Sequence, residues 1–420
     1  MFGILSSSAV FSLGSRLADI YFVANVDAEY YGAFIFLAGL IAVCFSVCYV
    51  IDDIFKRFFA SEPEPEKRSA ILVSLVAKSL ILTILFVAFA LIQLPNVERM
   101  DQICLLLKQY PLAGYCTLIL VANYYQLFPQ LLKINILASV FKISATVIIV
   151  RHFDSDLTLY ILTDLFFYLF LSLTVGYLVL KSVPEGAWKT SFVRIKYFTN
   201  LVKSYGSYQF ITRGLAALRQ HAIGIFIAPL LGANLAVDLL KLKMVFDTLH
   251  NSLQSFFDKI ASRTFKLVDS SVISQNQFQH QSYFISLAIR AGLLLVGSFV
   301  YSDLLLFLKI SFNIENLVIF FALNFLLGQQ LQFWTNVNLQ LIKRKTNWHL
   351  LYPISKNALM IVFLLMLIPT QGPAAFLLSI IFADMIALLY LMAIESSLKR
   401  LFIFLNLFAI SVYGFWLWQI

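Results

Sequence analysis

Charge is scarce in this 420-residue chain. Charged residues make up 13% of it, while 60% is hydrophobic and the mean hydropathy is +0.85. A soluble domain carries about 25% charged residues, so the shortage excludes a soluble fold of this length. Cysteine is scarce too, with four in all. That is too few for a disulfide framework, and Cys44 and Cys48, one helical turn apart, read as packed thiols. There is no nucleotide-binding loop, no metal-ligand cluster and no nucleophile constellation. Asp52-Asp53 is followed by Ile-Phe-Lys and lacks the second acidic pair of a prenyl-diphosphate metal site. Long loops are missing as well, the largest on the lysine-poor side being about 95–111. These absences argue against an enzyme, and no cofactor is expected.

What the chain has in quantity is apolar runs. A spanning helix needs roughly 20 mostly apolar residues. The runs fall at 4–25, 30–52, 70–94, 111–130, 134–151, 157–180, 204–228, 232–258, 281–302, 314–338, 347–368 and 371–396. A thirteenth covers 401–419. Pro95, Pro111, Pro229, Pro369 and the Gln371-Gly372-Pro373 turn are read as breaks, since proline removes a helical hydrogen bond. The first run has no basic segment before it and contains Arg16 and Asp19. It is read as a first helix, not as a cleaved signal. The forty-one Phe and 19 Tyr suit lipid-facing and interfacial surface.

Orientation follows from lysine and arginine in the connections. One alternate set holds Lys56, Arg57, Lys67, Arg68, Lys133, Lys181, Lys189, Arg194, Lys196, Lys203, Lys259, Arg263, Lys266, Lys343, Arg344, Lys345, Lys399 and Arg400. The other holds only Arg99, Lys108, Arg151 and Lys309. The asymmetry puts the N-terminus in the cytoplasm. The net charge of +9 is then chiefly a topology signal, and nucleic acid is not an expected partner.

The runs also repeat. Ser74-Leu75-Val76-Ala77-Lys78 matches Ser286-Leu287-Ala288-Ile289-Arg290, and Arg16 with Ala18-Asp19-Ile20 matches Arg219 with His221-Ala222-Ile223. Asp53-Ile54-Phe55-Lys56 matches Asp258-Lys259-Ile260, all at offsets of 203 to 212 residues. The expected fold is an all-α polytopic membrane protein of about 12 helices plus the thirteenth run. It would have two six-helix lobes related by a pseudo-two-fold axis along the membrane normal. The lobes would be 1–180 and 200–396, joined by a cytoplasmic linker at 181–199 and followed by an apolar helix in 397–420.

Basic residues fall inside the runs: Arg16, Lys78, Lys142, Arg213, Arg219, Lys241, Lys243, Arg290 and Lys356. Each costs roughly 2.5–3.5 kcal/mol near a helix centre. Acidic residues there are fewer, namely Asp19, Asp164, Asp238, Asp247 and Asp384. Arg16 and Asp19, like Asp238 and Lys241, have the i, i+3 spacing of a pair on one helix face. The surplus cations are expected to line a water-filled cavity suited to an anionic substrate. Arg16, Arg219 and Arg290 rank first, then Arg213, Lys241 and Lys78. The tenth run adds amides, Gln329, Gln330, Gln332 and Asn336. They suit sugar hydroxyls or, equally, interhelical hydrogen bonds. His221 is a further polar candidate.

Several segments resemble a known family. These are Gly14-Ser15-Arg16-Leu17-Ala18-Asp19-Ile20, leading to Asp27-Ala28-Glu29-Tyr30-Tyr31-Gly32-Ala33-Phe34, then Arg57-Phe58-Phe59-Ala60 and Tyr205-Gly206. The chain resembles Wzx-type polysaccharide repeat-unit flippases of the multidrug/oligosaccharidyl-lipid/polysaccharide exporter superfamily. It departs from them at Tyr208, where the family often has proline, and in its thirteenth run. The resemblance implies alternating access between two lobes in the bacterial inner membrane. The substrate would be an undecaprenyl-pyrophosphate-linked oligosaccharide, of O-antigen or capsule type, moved to the periplasmic leaflet during lipopolysaccharide or other polysaccharide biosynthesis. It also implies a coupling ion, H+ or Na+, and a polysaccharide polymerase with its chain-length machinery as partners, beside membrane lipids. Three alternatives stay open: a lipid II flippase, a multidrug exporter of the same superfamily, and a membrane enzyme acting on polyprenyl-linked sugars.

Overall fold

Apolar runs of this length become helices because, in hydrocarbon, a helix satisfies each backbone group within its own segment. The computed structural model of the chain follows that rule. It describes residues 2–92, 97–185, 192–269, 275–310, 321–322, 326 and 348–394. Among these there is no strand. The helices are α1 (Phe2–Val23), α2 (Ala28–Ser61), α3 (Lys67–Ala90), α4 (Arg99–Tyr124), α5 (Phe128–His152), α6 (Leu157–Ser182) and α7 (Phe192–Gln220). Then come a π turn (Ile223–Ile227), α8 (Ala228–Leu231), α9 (Ala233–Asp269), α10 (Gln275–Phe299), α11 (Tyr301–Leu308), α12 (Trp348–Gln371) and α13 (Ala375–Ile394). The runs at 314–338 and 401–419 lie outside the described residues, apart from residues 321–322 and 326.

Among the described residues, six stretches are long and apolar enough to cross a membrane: Ala28–Ala60, Glu64–Ala90, Arg99–Tyr124, Phe128–His152, Leu157–Ser182 and Pro353–Asp384. Two bent pairs, Tyr208–Gln220 with Ile223–Leu231 and Phe284–Phe299 with Ser302–Leu308, raise the number to eight if each is one span. The chain is therefore a multi-pass helical membrane protein.

Prolines were a poor guide to the ends of these helices. Pro111 lies inside α4, which begins at Arg99 and not at residue 111, and Pro369 lies inside α12. An interior proline forfeits one backbone bond and crowds the carbonyl four residues back, a cost that kinks a helix without having to end it. Pro229 does stand near a break. It lies in the short α8, which ends at Gly232 (φ 100°), while the 63° bend of the chain comes earlier, between Gln220 and Ile223. Two aspartates start helices by accepting a backbone N–H at 2.9 Å, Asp27 from Tyr30 and Asp156 from Leu159.

The chain forms two compact units, Met1–Ile260 with Phe299–Ile314, and Ala261–Ser298 with Glu315–Ile420. In the first, α1 packs on α5, α4 on α6, and α2 on α3, α4 and α7. Phe55, Phe58, Val121, Phe167 and Val175 fill its core. Leu80, Ile84, Leu173 and Tyr177 stay exposed, as a surface facing hydrocarbon permits. In the second unit α12 packs on α13, with the Phe363 and Phe382 rings 5.8 Å apart.

Small residues set the closest approaches. A Cβ at Gly14 would fall 2.4 Å from the Ser139 Cβ, and one at Gly224 would fall 2.5 Å from the Ile35 carbonyl oxygen. A Cβ at Gly214 would meet nothing within 4 Å beyond its own stretch of helix. Gly→Ala in a helix normally gains about 0.5–1 kcal/mol. Gly214→Ala should therefore hold or raise the melting temperature of the purified protein, and Gly14→Ala should lower it by prising α1 from α5. Equal shifts for the two variants would refute the close-packing account.

Candidate functional site

Helix α5 carries Asn135, Ser139, Lys142 and Thr146 at helical spacing, so its polar residues share one face, and all four are buried. That face meets Ser15 and Asp19 of α1 and Asp164 of α6. The Lys142 ammonium lies 2.5 Å from Asp19 Oδ1, 2.7 Å from Asp164 Oδ1 and 3.2 Å from Ser15 Oγ. Lys108 of α4 holds the other carboxylate oxygen of Asp164, Oδ2, at 2.5 Å. The Tyr160 hydroxyl donates to Asp19, and the Phe167 ring lies 5.2 Å from the Lys142 ammonium. Two lysines and two aspartates thus cancel in charge within a nearly closed site. Burial of this kind is tolerable only because every charge is matched.

A second pair ties α2 to α3 and α4. Lys78 is buried, with its ammonium 2.5 Å from Asp52 Oδ1 and 3.1 Å from the Ala113 carbonyl oxygen. Thr117 donates to the same carboxylate at 3.2 Å. The next residue, Asp53, points about 100° away around the helix. It accepts two bonds from Arg213 of α7, at 2.8 Å from Nε and 2.6 Å from Nη2. The Asp52-Asp53 doublet therefore serves two neighbours. Arg213 is 44% exposed in its side chain, so its pair contributes little to stability.

At the lysine-rich ends, two cations expected in a connection open α3 and are built into the structure. Lys67 donates to the Phe59 carbonyl at 3.1 Å and to the Tyr124 hydroxyl at 2.9 Å. Its ammonium also sits 4.1 Å from the Tyr124 ring centroid. Arg68 donates to the Leu180 and Val183 carbonyls that end α6. Beside them Tyr125 donates to Glu64 at 2.8 Å, and burial, then that bond, pushes its phenol well above the ordinary value.

Lys241 is buried on α9, 3.0 Å from Asp238, and donates to the Lys309 carbonyl at 3.3 Å. In the second unit, Lys356 pairs with Asp384, and Arg290 donates to Ser286 at 2.8 Å. Arg219 stands half-buried in the last turn of α7. Gln329, Gln330, Gln332 and Asn336 lie outside the described residues.

Arg16 is a different case. The i, i+3 spacing assigned it Asp19, but Asp19 belongs to Lys142 and Tyr160. Among the described residues Arg16 has no ion-pair partner. It is partly exposed on α1, and its charge, like that of Lys243 on α9, reaches His221 at the bend after α7. Lys243 itself pairs with Asp247. Of the residues singled out by sequence, Arg16 and His221 thus lie within electrostatic range of each other, and Lys243 within range of His221. Lys78, Arg213 and Lys241 are instead each engaged with a carboxylate. Among the described residues no His, Cys, Asp and Glu group could hold a metal ion.

No family model matches the chain, and no curated protein matches its sequence. Solved structures do match in fold. The lipid II flippase MurJ, in an inward closed conformation, superposes with a TM-score of 0.68 at 12% identity, covering 93% of this chain and 87% of its own. An inward-facing multidrug resistance MATE family transporter of the MOP superfamily gives 0.66 at 11% identity, covering 92% and 95%. A MOP superfamily transporter from Pyrococcus furiosus, for which a reverse polarity of the binding pocket suggests a different function, gives 0.59 at 13%, covering 92% and 91%. The chain has the fold of these transporters.

Proposed function

We propose that the chain is a flippase. It moves a lipid-linked oligosaccharide of the undecaprenyl-pyrophosphate class from the cytoplasmic to the periplasmic leaflet of a bacterial inner membrane, by alternating access. The observation that carries the reading is Arg16. It is a partly exposed cation on α1 with no ion-pair partner among the described residues, within electrostatic range of His221. A pyrophosphate is a fitting counter-charge for such a group, because arginine binds it through two parallel hydrogen bonds.

The expected twelve-helix, six-plus-six layout belongs to the same proposal, with its N-terminus in the cytoplasm and the lobes at 1–180 and 200–396. The burial of both repeat-matched cations, Lys78 and Arg290, supports it. Arg219 and Arg290 remain substrate candidates in this reading, as do Gln329, Gln330, Gln332 and Asn336 for the sugars.

A multidrug exporter would need a carboxylate ready for a cationic drug. Here Asp19, Asp52, Asp164, Asp238 and Asp384 each already hold a lysine ammonium. That observation favours the anionic substrate over the cationic one. Deleting the gene should abolish surface polysaccharide and accumulate its lipid-linked repeat unit on the cytoplasmic face, measured by protection from an externally added glycosidase. Normal surface polysaccharide, or accumulation on the outer face, would sink the proposal.

A further inference from the structure

An apolar groove of about 650 Å³ lies in the first unit between α2, α3 and α7. Its walls include Val50, Val73, Ala77, Phe198, Gly206 and Phe210, and Thr199 supplies the one side-chain hydroxyl in its lining. The volume is that of a ligand pocket, for which about 300–1,000 Å³ is usual. Its lining residues run from Leu72 to Ile81 on α3 and from Ile195 to Phe210 on α7. At 1.5 Å per residue the groove is about 14 Å long on one wall and about 22 Å on the other. One leaflet of the hydrocarbon core is about 15 Å deep.

We propose that this groove seats an acyl chain of an anionic glycerophospholipid from the leaflet on the lysine-rich side. Three features select that occupant. The helical walls have their backbone groups already bonded, so a peptide or a polar drug would lose its own hydrogen bonds on entering. The depth fits one leaflet and not a full span. The rim is basic: Lys196 and Lys203 of α7 are exposed beside the lining residues Ile195 and Val202. Lysines so placed reach a phosphate at the membrane surface by snorkelling. The α7 stripe turns polar one turn past Phe210, where Asp53 holds Arg213, and the groove ends there. The inference does not rest on the transport reading.

The test uses the full chain in nanodiscs of equal phosphatidylglycerol and phosphatidylcholine, with a photoreactive diazirine on the acyl chain of one lipid at a time. The phosphatidylglycerol probe should label α2, α3 and α7. Ala77→Trp, which fills the groove, should cut that labelling roughly tenfold, equivalent to about 1.4 kcal/mol of binding. Should Ala77→Trp fail to fold, the rim variant Lys196→Glu with Lys203→Glu leaves the core untouched. It should bring phosphatidylglycerol labelling down to the phosphatidylcholine level. Labelling confined to other helices, or unchanged in both variants, would overturn the proposal. So would displacement by a lipophilic cation or a polyprenyl phosphate at concentrations where added phosphatidylglycerol has no effect.

Discussion

Lys142→Met is expected to cost the folded state about 3–5 kcal/mol, the range for breaking a buried ion pair from one side. The residue sits between two carboxylates, Asp19 and Asp164, and only Lys108 remains to neutralise both once it is gone. Methionine keeps most of the volume, so the loss is electrostatic and not a cavity. The damage should fall on the contacts of α1, α5 and α6, because each helix contributes one charged group to the cluster. Thermal unfolding of the purified protein gives the measurement. Adding Asp19→Asn removes the stranded charge and should return more than half of the lost stability, which a purely steric effect of methionine would not allow. An unchanged melting temperature in Lys142→Met would show that the cluster does not hold the helices together.

The same cluster marks the boundary of what could be read from sequence. The helices were legible, because apolar runs of twenty residues leave little choice of secondary structure. The inventory of intramembrane charges was legible only in part: Lys108, read as a loop cation, lies inside α4 and Asp52 was left out, while the local pair Asp238–Lys241 forms as its spacing suggested. The pairing of Arg16 with Asp19 was not correct, and the reason is energetic. An i, i+3 pair on a helix surface gains only about 0.2–0.5 kcal/mol, whereas a fully buried ammonium must be neutralised at a cost of several kcal/mol if it is not. Lys142 therefore takes Asp19 from 123 residues away.

Such long-range competition leaves no trace in local spacing. The nearest signal was the polar stripe of α5, Asn135, Ser139, Lys142 and Thr146, which marks a face turned inward. Likewise Asp52 was weighed as half of a missing metal motif, while its partner Lys78 was weighed as a free cation. Each was half of one buried pair. Lys243 appeared only in the inventory of buried cations, because nothing near it in sequence points to the bend at His221.

The competition for Asp19 has a functional consequence, and Arg16→Gln tests it. The glutamine keeps hydrogen-bonding capacity and most of the length but removes the charge. A charge-assisted hydrogen bond to phosphate contributes about 1.5–3 kcal/mol, so translocation of a pyrophosphate-linked substrate should slow roughly 10- to 100-fold. Stability should stay near that of the parent, since Arg16 has no ion-pair partner to strand among the described residues. That combination separates it from Lys142→Met, which should lose stability first and transport as a result. The readout is the rate at which a fluorescent lipid-linked oligosaccharide becomes accessible to a quencher outside proteoliposomes, beside the melting temperature of the same preparation. If Arg16, His221 and Lys243 hold one anion together, adding Lys243→Met to Arg16→Gln should slow transport by less than the product of the two single effects. Arg16→Lys should recover part of the rate, because it restores the charge without the two-pronged geometry. A parental rate in Arg16→Gln would remove the cation group from the substrate's path and with it the main support for an anionic cargo.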